Sequence, residues 1–156
     1  MSNDNDNWGR HWTGYDPVID ALRADLGVDW ELWTTGGGCM AWVSKNTEGG
    51  VHLMLTDCED PLSSWTQRTE HDAEYPGMLT GFNVGVYDET DDGNECIVSV
   101  AARCAPTREN AVALARRALS MVPPRSEWPG LRPAWVTLTP DLSEIDRIVT
   151  PEWTLS

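Results

Sequence analysis

Apolar positions along the chain change period several times, and each change predicts an element. Val18, Leu22 and Leu26 recur at a spacing of four with Ile19 beside them, the pattern of one helical face. Asp16 and Pro17 suit the start of that helix as N-cap and first turn, and Gly27 suits its end, so a helix is predicted over 16–26. A second helical stripe, Ala111, Leu114, Ala115 and Ala118, follows Thr107 and stops before Pro123 and Pro124, predicting a helix over 107–122.

Between these helices the period is two. VDWELWT (28–34), CMAWVS (39–44), VHLMLTD (51–57), MLTGFNVGVY (78–87) and ECIVSVA (95–101) each read as a strand. TGGG, NTEGG and DETDDGN separate several of them and are rich in residues that tolerate turns. Short connections of this kind join antiparallel strands. The predicted fold is α+β: a two-layer sandwich with a five- to six-stranded, mainly antiparallel sheet and both helices on one face. Residues 1–15 read as a flexible polar arm, 16–122 as the α+β domain, and 123–156 as an extension wrapping it. That extension holds a strand-like AWVTLT (134–139) and a turn of helix around 140–149.

The alternation contains an anomaly. With Trp30 and Leu32 toward the helices, Trp33 points away; with Cys39, Ala41 and Val43 inward, Met40 and Trp42 point outward. With Val51, Leu53 and Leu55 inward, His52 and Met54 point outward. An open sheet face is normally polar. An apolar one must be covered, by the tail, by a protein partner, or by a second copy in a homodimer.

Charge sharpens this reading. The 156 residues carry 25 acids against 11 bases, a net −14, and Lys45 is the only lysine. A chain this acidic repels nucleic-acid phosphates and membrane surfaces and attracts basic partners. From Asp57 to Glu95 eleven acids face one base, Arg68, a net −10. Trp33, Trp42 and Met54 are therefore candidate partner contacts, together with Asp57, Glu59, Asp60, Asp91 and Asp92.

Catalytic and metal chemistry finds little footing. GGG at 36–38 leads from strand to strand, whereas a phosphate loop leads into a helix N-terminus. DETDDGNE lacks the glutamate that closes a calcium loop. His52, Cys58 and His71 lack the spacing of zinc ligands. No catalytic residue, metal site or cofactor is expected. The four cysteines form no C-x-x-C pair, and no apolar run suits a signal peptide or membrane span, so free thiols and a cytoplasmic location are expected.

The runs GGGCMAW, VHLMLTD and NVGVYDE resemble small acidic proteins encoded by phages of actinobacteria, over residues 28–101. The resemblance implies no activity and no site residues, and it favours a role in binding a host protein. The leading expectation is a non-catalytic acidic protein that binds a protein partner. The alternatives are an acidic nucleic-acid mimic blocking a DNA-binding protein or nuclease, and a small hydrolase using the 57–76 loop.

Overall fold

Two of the helices form where the apolar spacing is near four and most strands where it is two, and the two kinds of element separate into layers. The structure, a computed structural model, describes residues 13–36, 39–44, 50–59, 61–88 and 95–149. The strands are β1 (Trp30–Gly36), β2 (Cys39–Ser44), β3 (Val51–Thr56), β4 (Phe82–Asp88), β5 (Glu95–Ala102), β6 (Ala134–Leu138) and β7 (Glu144–Val149). The helices are α1 (Asp16–Leu26), α2 (Trp65–Glu74) and α3 (Arg108–Ser120). Short 3-10 turns stand at Thr13–Tyr15 and Arg125–Glu127.

All seven strands form one sheet in chain order. Every neighbouring pair is antiparallel except β5–β6, which is parallel. A parallel pair needs a long crossover, and α3 lies within it. The strand count exceeds the expected five to six because 144–149, expected to contain a helical turn, pairs with β6 as β7. The chain from 134 to 149 therefore continues the sheet.

α1 begins one residue away from the expected cap: Tyr15 occupies the N-cap without a side-chain bond, and Asp16 lies in the first turn. Gly27 ends the helix at φ 70°, its N–H bonded to Arg23 O at 2.8 Å. Thr107 caps α3 as expected, its Oγ1 accepting the Asn110 N–H at 3.1 Å. α1 and α3 pack together, and α3 lies over β4 and β5. Beneath them are Val51, Leu53, Leu55, Phe82, Val84, Val86, Val98 and Val100, all buried.

α2 was expected to be loop. Its only buried residue is Arg68, so it has no apolar stripe to read. Its signal is local instead: the Ser64 hydroxyl accepts from Gln67 N while the Gln67 side chain accepts from Ser64 N, a reciprocal capping box.

The face assignments on β2 need correction. Trp42 pairs with Leu55, which places it on the helix face, where its ring meets Tyr15 at 6.4 Å. Ala41 and Val43 then face away, opposite to the expectation. Both sides of MAWV are apolar, so alternation alone leaves the phase of β2 open, and pairing with β3 sets it. Met78, expected on β4, lies outside that strand and is exposed. A bulge between Val86 and Tyr87 puts Cys96 opposite Tyr87, away from the helices.

Candidate functional site

The sheet face away from the helices is defined by register. Val43, Met54, Gly85, Ser99, Trp135 and Ile148 stand opposite one another in a single row from β2 to β7. Beside it runs a second row, Thr56, Asn83, Ala101, Thr137 and Asp146. Trp33 lies on the same face of β1, opposite Ala41.

This face is closed at one side and open at the other. Ala41, Val43 and His52 are buried. His52 and Tyr87 stack at 5.4 Å, and the Tyr87 ring lies so close over Gly85 that a Cβ there would approach it to 2.8 Å. Toward β6 and β7 the face opens: Trp135 is 46% exposed and Ile148 56%. At the other margin Trp33 is 47% exposed, its indole donating to Glu31 Oε2 at 2.8 Å.

Between Met54 and Trp135 lies a groove of about 510 Å³, its floor made by Asn83, Ser99 and Ala101 and its far end by Cys58, Glu59 and Pro61. Small side chains on the central strands leave the space. The Ser99 hydroxyl donates to Asn83 Oδ1 at 2.7 Å, which orders the floor. Among the described residues, no strand position on this face is Lys or Arg. Three of the described arginines serve the other layer: Arg116 pairs with Asp25, and Arg117 and Arg147 with Glu144.

At the end of β3 the acidic segment turns inward. Asp57 is buried and bound by the fully buried Arg68. The Arg68 guanidinium also donates to Tyr15 Oη at 3.1 Å and Gly81 O at 2.6 Å and lies 4.5 Å from the Phe82 ring centre. Asp57 Oδ2 accepts from Ser63 N at 3.2 Å and Ser63 Oγ at 2.6 Å. Burial pushes the Tyr15 hydroxyl up to about 12, against the pull of Arg68. This network ties α2 to the ends of β3 and β4; it is a structural pin closed to solvent.

A second, polar cavity of about 270 Å³ lies nearby, lined by Glu59, Ser63, Gln67, His71, Thr80 and Arg103 among others. Glu59 is paired with Arg103. His71 Nδ1 stands 3.3 Å from both Asp72 Oδ1 and Thr80 Oγ1. Asp72 Oδ1 takes the Thr80 hydroxyl and amide, each at 2.7 Å. The hydrolase reading needs an activated nucleophile here. Burial pushes the Cys58 thiol up, with Glu59 and Asp57 adding to it against Arg103, so the thiolate is disfavoured. No group of three or more metal-ligating side chains occurs among the described residues.

The candidate contacts thus scatter. Trp33 and Met54 share the face away from the helices, Trp42 is on the helix face, Asp57 is buried, and Glu59 is exposed but paired. Asp60, Asp91 and Asp92 lie outside the described residues. The sequence reading missed Trp135 and Ile148, although alternation within AWVTLT places Trp135 opposite to Val136. No described helix is long and apolar enough to cross a membrane. No protein-family model matches this chain, and neither a curated protein nor a solved structure matches it.

Proposed function

We propose that this is a non-catalytic protein that binds a protein partner through the sheet face away from the helices. One observation carries the reading: that face exposes Trp33 and Ile148 at its two margins and Trp135 beside a groove, with no cationic side chain at any described strand position on the face. Exposed tryptophan beside a concavity is the composition of an interface anchor. The phage resemblance makes a host protein the expected partner, and the unpaired thiols Cys58, Cys96 and Cys104 suit the cytoplasm.

The nucleic-acid mimic is less well supported. It needs unpaired carboxylates held together. Asp57 and Glu59 are paired with arginines, and they sit at the opposite end of β4 from Asp88. At about 3.3 Å per residue, the seven residues of β4 separate its two ends by roughly 20 Å.

Capture from actinobacterial lysate with three baits tests the proposal. Thr137→Arg puts a cation on the open face; Glu70→Arg puts one on exposed α2. The expected result is a protein retained by the wild type and by Glu70→Arg and lost with Thr137→Arg. Equal retention by all three baits overturns the proposal. Loss with Glu70→Arg alone overturns it in favour of the acidic surface.

A further inference from the structure

The groove has a chemistry more specific than an apolar patch. One wall is an indole, half-exposed, and the opposite wall is the Met54 thioether. The floor is polar and small, with Asn83 and Ser99, and Thr137 stands beside the indole. No Lys or Arg lines it. Asp146 lies directly across from Thr137, exposed, and pairs with none of the described cations. The chain around it carries a net −14.

A purely aliphatic anchor would fit the walls but cover the remaining lone pairs of the Asn83–Ser99 pair without offering them a donor. A compact ammonium would keep its water and gain little from the indole. A guanidinium satisfies both parts: it is planar and weakly hydrated, stacks on aromatic faces, and offers five donors to carboxylate and amide oxygens. We propose that the groove beside Trp135 receives an arginine side chain from a basic segment of the partner, its guanidinium laid on the indole and held by Asp146. This rests on the reading of the open face as the partner-binding surface.

The test uses the full chain and a probe of defined chemistry, a capped GRGRG peptide. Isotope-labelled protein is titrated with it and with the analogue in which citrulline replaces both arginines, keeping shape and removing charge. The expected result is saturable shifts at the Trp135 indole N–H and the Ser99, Ala101 and Thr137 amides. Citrulline should bind roughly ten-fold more weakly. Asp146→Asn and Trp135→Leu should each weaken arginine binding several-fold; Asp146 is exposed, so its variant tests the claim even if Trp135→Leu disturbs folding. Equal binding of citrulline, shifts centred on the acids of α2, or no shifts at all would overturn the arginine assignment. If the peptide fails while Thr137→Arg still abolishes partner capture, the arginine assignment falls alone. If capture is indifferent to Thr137→Arg, the reading beneath it falls too.

Discussion

On β4, Phe82, Val84 and Val86 are sealed under the helices, while Asn83, Gly85 and Tyr87 look the other way from the same seven residues. The helix side is filled by large aliphatic and aromatic groups, and the fully buried charge there, Arg68, is closed off by its pairing with Asp57. The far side keeps small residues at its centre, large ones at its margins, and no cation at a described strand position. One side is made to exclude water from itself, the other to leave space. Substitutions should therefore affect stability on one side and association on the other.

The largest separation is expected at Arg68. Arg68→Met removes a fully buried guanidinium from all of its partners and leaves Asp57 buried beside an apolar chain. Breaking one half of such a pair costs about 3–5 kcal/mol, whereas removing both charges is often far milder. Urea unfolding should show a large loss for Arg68→Met and partial recovery for Arg68→Met with Asp57→Asn. A single variant as stable as the wild type would mean the network is not the pin described here.

The next contrast compares the two faces directly. Phe82→Ala empties a site with no exposure, and about 3–5 kcal/mol should be lost. Ile148→Ala on the open margin should cost under about 1 kcal/mol. Comparable losses for the two would show that Ile148 is covered in solution, and the open-face reading would lose its basis.

Two glycines sharpen the picture at smaller scale. Gly27 and Gly81 both hold positive φ, at 70° and 64°. A Cβ on Gly27 meets nothing, so Gly27→Ala should cost only the left-handed backbone penalty, about 1–2 kcal/mol. A Cβ on Gly81 would lie 2.0 Å from Ala102 O, against the backbone of the strand beside it. Gly81→Ala should therefore lower the melting temperature more than Gly27→Ala. The reverse order would argue against the tight β4–β5 approach.

Much of the helix face was legible in the sequence. The spacing of Val18, Leu22 and Leu26 and the alternation of Val84 and Val86 each have one apolar side and admit one answer. Trp42 did not, because Met40, Ala41, Trp42 and Val43 are apolar on both sides and only pairing to Leu55 decides. α2 escaped because its inner face is an arginine, a residue that periodicity counts as solvent-exposed. The groove was illegible for a different reason. It is a gap between β3 and β6, and the parallel β5–β6 pairing that brings Trp135 beside Ser99 joins strands separated by a helix. The small residues of its floor read individually as weak strand formers.

The smallest expected effect concerns Asp72, a carboxylate near the polar cavity at the edge of the helix layer. Burial works to raise its pKa, and Oδ2 is buried without a hydrogen-bond partner. The Thr80 hydroxyl and amide, His71 and Arg68 outweigh that and hold the carboxyl below its usual value of 3.8. A depressed folded pKa means the ionised form is bound more favourably in the native state. The stabilisation is then fully present above the unfolded value and is lost as pH falls through the folded one. Between neutral pH and about pH 5 Asp72 should leave the melting temperature unchanged; below about pH 4 it should contribute to its fall. Thr80→Val removes the hydroxyl donor and keeps the amide, so it should lower stability at neutral pH modestly and make the acid limb shallower. Melting curves from pH 7 to pH 2.5 for the wild type, Thr80→Val and Asp72→Asn decide the matter. Parallel acid limbs in all three would show that Asp72 is not held in the ionised form by Thr80, and that α2 docks here without help from that carboxylate.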